Sequence, residues 1–129
     1  MLDHIALRVS DIERSRTFYE AALAPLGMKV LREYSPSQTD SGGTSIGFGT
    51  GMKPFFWIGD GGPPTPGVHV ALDAGSRDLV DACYQAAITA GGRDNGAPGL
   101  RPNYHPNYYG AFVLDPDGIN LEAVCHGPA

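Results

Sequence analysis

Cysteine is scarce in this chain. Only Cys83 and Cys125 occur in 129 residues. That excludes a disulfide-stapled scaffold and points to a reducing compartment. Basic residues are few as well, nine Lys and Arg against fourteen Asp and Glu, for a net charge of −5. A nucleic-acid binder needs a basic face to neutralise phosphates, so that class is disfavoured. No apolar run is long enough to span a bilayer. The opening residues MLDHIALRVSD lack the basic-then-apolar order of a signal peptide, so the expected location is the cytoplasm. No Walker motif, nucleophile elbow, CxxC pair or dinucleotide fingerprint is present.

Glycine and proline are abundant, at 18 and 11 residues. They imply many turns and short strands around a globular composition. The chain also repeats itself. Shifted by 65 residues, His4-Ile5-Ala6-Leu7 falls on His69-Val70-Ala71-Leu72, and Tyr19-Glu20-Ala21-Ala22-Leu23 falls on Tyr84-Gln85-Ala86-Ala87-Ile88. Gly27 falls on Gly92 in the same register. A strand word, a helix word and a terminating glycine in one register indicate two copies of one unit. The Pro/Gly-dense stretch Gly59–Gly67 reads as their linker.

Each copy reads as strand, helix, strands. Leu2–Val9 alternates and predicts a strand. Ser10 or Asp11 can cap a helix that runs to about Leu23, with Glu13 in its first turn. Met28–Tyr34, Thr44–Phe48 and Pro54–Ile58 are the next strand candidates. In the second copy Val68–Leu72 predicts a strand. Ser76 caps a helix to about Ala90, with Leu79, Cys83, Ala86, Ala87 and Ala90 as its apolar stripe. Tyr109–Leu114 and Ile119–Cys125 are strands joined by the turn Asp115-Pro116-Asp117-Gly118. Both thiols read as small buried side chains. The expected fold is α+β: one domain over 1–129, made of modules 1–60 and 67–129, with two βαβββ units forming an open curved mixed sheet.

Strand alternation sorts the polar residues onto one face. His4 and Arg8 lie opposite the core-facing Ile5, Leu7 and Val9. His69 lies opposite Val70 and Leu72, and Glu122 opposite Leu121 and Ala123. The repeat offset places Trp57 at the position of Glu122. His4, His69 and Glu122 thus offer two imidazoles and one carboxylate, a set that suits one divalent ion such as Fe, Mn, Co, Ni or Zn. Three protein ligands leave positions open for substrate, as catalysis requires. The competing expectation is that these residues are structural and hydrogen-bond one another.

Other residues border this face. Gly96–Tyr108 reads as a long functional loop or lid. Tyr104, His105, Tyr108 and Tyr109 are candidates to stack on a substrate or move protons, with His105, Tyr109 and Glu122 as the catalytic candidates. Arg8 suits a substrate carboxylate or phosphonate, although an ion pair with its repeat partner Asp73 competes for it. Trp57 reads as a pocket wall, with Phe55 on its face. His126 reads as a surface residue.

The words DHIALRVSDIERSRTFYEAAL, GVHVAL and YGAFVLDPDGINLEAV resemble the vicinal-oxygen-chelate superfamily of glyoxalases, extradiol dioxygenases, fosfomycin-resistance proteins and bleomycin-resistance proteins. The resemblance covers the whole chain. It implies paired βαβββ modules around a metal, with His4, His69 and Glu122 as ligands. It also implies a homodimer and a small-molecule substrate that chelates the ion through adjacent oxygens, in lyase, isomerase, thiol-transferase or dioxygenase chemistry. The fourth carboxylate of glyoxalase I is replaced here by Trp57, which has no basic nitrogen to give a metal. Bleomycin-binding relatives lack the metal set, so a non-catalytic protein that sequesters a drug or metabolite is the alternative reading.

Overall fold

A computed structural model describes residues 1–129. The elements are β1 (Ile5–Arg8), α1 (Ile12–Leu23), β2 (Lys29–Tyr34), β3 (Ser45–Gly49), β4 (Phe56–Gly59), β5 (His69–Asp73), α2 (Arg77–Thr89), β6 (Arg93–Leu100), β7 (Tyr109–Leu114) and β8 (Asn120–Cys125). They build two four-stranded mixed sheets, in the orders β1-β4-β3-β2 and β5-β8-β7-β6. The duplication extends to cross-strand pairs. Ile5 opposes Phe56 as Val70 opposes Leu121, and Gly47 opposes Trp57 as Phe112 opposes Glu122. No helix is long and apolar enough to cross a membrane.

The helices form where the caps predict. Asp11 accepts the Arg14 backbone N–H at 3.1 Å, and the Ser76 hydroxyl accepts that of Leu79 at 3.2 Å. Each satisfies a donor that the first helical turn leaves open. α1 buries Phe18, Tyr19, Ala22 and Leu23, which join Ile46, Phe48, Phe56 and Ile58 of its sheet in one core. That core continues into Val70, Val113 and Leu121 of the second module. The stripe of α2 differs from expectation. Val80, Cys83 and Ala87 are buried, while Leu79 is exposed. Val80, three before Cys83, falls on the same side of it as Ala87, whereas Leu79, four before Cys83, lies at the opposite edge of that face. The Cys83 thiol donates to the Ala22 carbonyl of the other helix at 3.2 Å, and burial pushes it up to about 11. Cys125 is buried too.

One strand escaped the sequence reading. Residues 93–100, RDNGAPGL, form β6 rather than the first part of a loop. Its pairing with β7 is broken by two register shifts. As the sheet's outer strand it tolerates Pro98, whose missing N–H costs nothing on an unpaired edge. The connection that remains, 101–108, is a closed hairpin tip. Arg101 N–H bonds the Tyr108 carbonyl at 2.7 Å, and the Arg101 guanidinium reaches the carbonyls of Gly99 and Ala97 at 2.9 and 2.8 Å.

The modules are fastened together at the turn between β7 and β8. Asp115 is 1% exposed and accepts the Tyr19 hydroxyl of α1 at 2.7 Å. It also accepts the backbone N–H groups of Asp117 and Ile119 at 2.8 and 2.9 Å. Asp117 receives the Ser10 N–H and hydroxyl at 3.1 and 2.6 Å, just before α1. Burial raises the Asp115 carboxyl above its usual range, and its donors act in the opposite sense. Burial and the adjacent Asp115 carboxylate also push the Tyr19 phenol well above its ordinary value. Removing the phenol strands a buried acceptor, so Tyr19→Phe is expected to cost about 1–3 kcal/mol. Urea denaturation measures this. Tyr84→Phe, at the repeat position beside Asp94, serves as the half-buried comparison and is expected to change stability by less than about 0.5 kcal/mol.

Candidate metal and substrate site

His69 and Glu122 stand on adjacent parallel strands, β5 and β8, with Glu122 level with Ala71. His69 Nε2 lies 2.7 Å from Glu122 Oε1. The carboxylate is 1% exposed while the imidazole is 49% exposed, so the pair has a buried end and an open end. The second oxygen, Oε2, receives the Tyr108 hydroxyl. Burial first, then that hydrogen bond to a carboxylate, push the Tyr108 phenol up to about 12. Gly110 makes room for the arrangement. A Cβ there would stand 3.1 Å from Glu122 Oε2 and 3.2 Å from the Tyr108 ring. Phe112 closes one side, 6.0 Å from the His69 ring.

These groups line a pocket of about 400 Å3 together with Tyr104, His105 and His126. The Tyr104 ring lies 4.9 Å from that of Tyr108, at the mouth. His126 is exposed, as expected, and stands at the rim of this pocket, where His105 bonds it at 2.8 Å. Strand parity could have found it, because Glu122, Val124 and His126 alternate in step beyond the end of β8. Tyr109 does not belong to the site. One residue out of phase with Tyr108, it turns to α2, where its hydroxyl bonds Asp81 at 2.6 Å and Arg77 covers its ring at 5.3 Å.

His4 does not reach Glu122, although it and His69 both line the cleft between the modules. It precedes β1, and its Nδ1 lies 2.6 Å from Asp3 Oδ1. Asp3 also pairs with Lys53, and these two partners hold its carboxyl below the usual range. The bond to Asp3 leaves His4 Nε2 free. No three His, Cys, Asp or Glu side chains of one chain converge closely enough to hold a metal ion. His4 faces a second pocket, of about 310 Å3, with Tyr34, Gln38 and Trp57. Trp57 stacks on Tyr34 at 5.8 Å and lies across Gly47, where a Cβ would come within 2.8 Å of the indole. Sequence reasoning missed Tyr34, whose role depends on the neighbouring strands.

Arg8 and Phe55 also differ from expectation. The Arg8–Asp73 ion pair does not form. Asp73 turns to the Gly75 N–H at 3.0 Å, and the Arg8 guanidinium runs along the glycines Gly59–Gly62. It lines a recess of about 230 Å3 with Thr39, Asp40, Ser41, Ser45 and Trp57. Phe55 precedes β4 and packs against the core, so it borders the cleft between the modules rather than the Trp57 pocket. That cleft, about 590 Å3 between β1 and β5, is the largest cavity, but it is mostly apolar and does not reach Glu122. The smaller pocket holds Glu122 with His69, His105 and His126.

The donors present there fit a borderline divalent ion, since imidazole nitrogen and carboxylate oxygen both suit one. The Glu122 carboxylate is buried with an imidazole and a phenol as partners, and no lysine or arginine pairs with it. A buried carboxylate is costly unless it is paired, and a protonated His69 or a bound divalent ion would each supply the charge.

A family model described as the Glyoxalase/Bleomycin resistance protein/Dioxygenase superfamily matches residues 1–123. The fold is similar to the crystal structure of a glyoxalase/bleomycin resistance protein from Albidiferax ferrireducens. The TM-score is 0.74 and the identity 27%, over 98% of this chain and 99% of that one. A variant of glyoxalase I from Zea mays is similar at 29% identity and a TM-score of 0.74, over 95% of this chain and 45% of that one. A protein of Brassica oleracea var. gemmifera, provisionally named lactoylglutathione lyase, is 29% identical over 97% of this chain and 44% of its own length. The chain therefore spans less than half the length of that curated relative. With duplicated βαβββ modules and a family match over 1–123, the chain belongs to the Glyoxalase/Bleomycin resistance protein/Dioxygenase superfamily.

Proposed function

We propose that this protein is a metal-dependent enzyme acting on a small substrate that offers two adjacent oxygens to the ion. Lyase chemistry on a thioester such as lactoylglutathione is the first reaction to examine, since that substrate is in the name of a relative. The observation that carries the reading is the buried Glu122 carboxylate bonded to His69 and Tyr108 with no lysine or arginine beside it. His69 and Glu122 would hold the ion, with His4 as the third ligand. A bound divalent ion supplies Lewis acidity toward an enolate or oxyanion. The chain's own residues do the rest. Tyr108 orients Glu122 through Oε2, Trp57 and Tyr34 wall the space, and Arg8 offers its guanidinium to a substrate carboxylate.

Because His4 does not meet the other two ligands within one chain, the reading includes a homodimer in which His4 comes from the second copy. β1 and β5 support it. Each is hydrogen-bonded to one neighbour strand, β4 or β8, so each keeps a row of backbone groups free for pairing. The sequestering-protein alternative draws on the stacked Tyr34–Trp57 wall, and chelator-insensitive binding of an apolar ligand would favour it.

The first test is elemental analysis of protein purified without chelators. About one equivalent of Fe, Mn, Co, Ni or Zn per chain is expected, with affinity lowered on the order of 100-fold or more in His69→Ala and Glu122→Gln. No metal, and none taken up on titration, would sink the reading. The dimer is tested by mixing His4→Ala with Glu122→Gln under subunit exchange. A site shared between copies regains about a quarter of its metal, because half the dimers are mixed and each holds one intact site. A site within one chain regains none. For Arg8→Gln, steady-state kinetics with lactoylglutathione should give a KM raised about tenfold with kcat nearly unchanged, the pattern of a lost binding contact.

A further inference from the structure

The Glu122 pocket contains a second pair of imidazoles that metal binding leaves unused. His105 Nε2 and His126 Nδ1 are 2.8 Å apart, with their rings stacked at 5.1 Å. Tyr108, which bonds Glu122, stands edge-on to both rings at 5.5 and 5.1 Å. The remaining nitrogen of His105, Nδ1, accepts the Asn107 backbone N–H at 3.1 Å. This last contact sets the direction of the whole chain. A backbone N–H can only donate, so His105 Nδ1 carries no proton. His105 therefore has its proton on Nε2 and donates it to His126 Nδ1. His126 must then carry its own proton on Nε2, the one ring nitrogen of the pair without a partner.

We propose that His126 Nε2–H is a fixed, neutral hydrogen-bond donor to an oxyanion in this pocket, and that His105 is the positioning residue that sets its tautomer. The inference rests on the metalloenzyme reading and extends it to the ligand's chemistry, a small anion with two adjacent oxygens. Both oxygens would lie at the His69–Glu122 end, and His126 would donate to one of them. The pair is built to hold a proton rather than to pass one. If His126 gave up its Nε2 proton, Nδ1 would have to draw the proton from His105. His105 would then need refilling at Nδ1, where the Asn107 N–H already points. A neutral imidazole held in this way stabilises developing negative charge without itself changing protonation state.

Two measurements test the proposal on the assembled protein. The first is a histidine side-chain nitrogen–proton correlation spectrum of the metal-free protein. Protons on Nε2 of both His105 and His126 are expected. His105→Phe should leave His126 as a tautomer mixture, and His105→Gln, which keeps an N–H at the same reach, should restore the single form. A proton on His126 Nδ1 in the unaltered protein overturns the proposal. The second is acetohydroxamate binding to the zinc-loaded protein. His126→Phe should weaken it about 10- to 100-fold, whereas His126→Gln should stay within about threefold of the unaltered protein. Zinc affinity should be unchanged in both variants. Equal hydroxamate affinity in all three proteins, with zinc bound, overturns the donor and leaves the metalloenzyme reading standing. Failure of the unaltered protein to take up zinc overturns both.

Discussion

The structure depends on a buried carboxylate shared between two halves that also share one core. Asp115 follows β7, yet one of its donors, the Tyr19 hydroxyl, comes from the helix of the other module. Its remaining donors are N–H groups of its own turn, which it holds in shape. The turn closes the hairpin that carries Glu122, so the register of β8 and the junction between modules are set by one group. Burying a carboxylate is unfavourable unless its hydrogen bonds are complete. The contact therefore favours a single arrangement of the halves over any that leaves Asp115 unpaired.

Upon that frame the two modules have diverged by exchanging bulk between partner positions. In the first, an indole lies over a glycine, Trp57 across Gly47. In the second, a carboxylate lies beside a phenyl ring, Glu122 opposite Phe112. Both pairs fill the space on the inner face of a sheet, but one supplies a flat apolar wall and the other a charge. An enzyme needs both kinds of surface, since binding a small organic molecule calls for apolar area with a few polar groups placed against it. Duplication followed by such an exchange provides each from the same backbone.

The Glu122 pocket assembles its polar groups from sequence-distant pieces that β-pairing brings together. His69 comes from β5, Glu122 from β8, and Tyr108 and His105 from the tip of the β6–β7 hairpin. Each is tied to a neighbour by a hydrogen bond: His69 and Tyr108 to Glu122, and His105 to both Asn107 and His126. Such ties set tautomer and orientation before any ligand arrives, the preorganisation that electrostatic catalysis relies on. His4 is oriented in the same manner by Asp3, at the opposite end of the molecule's pseudo-symmetry.

Much of this protein could be read from the chain alone because local periodicity encodes it. The duplicated words, the alternation of β1, β5 and β8, and the capping residues Asp11 and Ser76 each reflect short-range geometry that residue types express directly. Strand alternation set His69 and Glu122 on the polar face for the same reason, and their hydrogen bond is the one the competing structural expectation contained. What local sequence did not contain was phase across a break and partnership across space. β6 was illegible because glycine, proline and two bulges erase its alternation, and its pairing partner β7 defines it instead. Tyr109 and Tyr108 are neighbours in the chain, yet the pleat sends one to Asp81 and the other to Glu122. Whether Arg8 would meet Asp73, and whether His4 would meet His69, turned on how the two sheets sit against each other. That placement is decided by the burial of one core shared by both modules and by the Tyr19–Asp115 bond. It is a property of packing, which no segment of the chain specifies by itself.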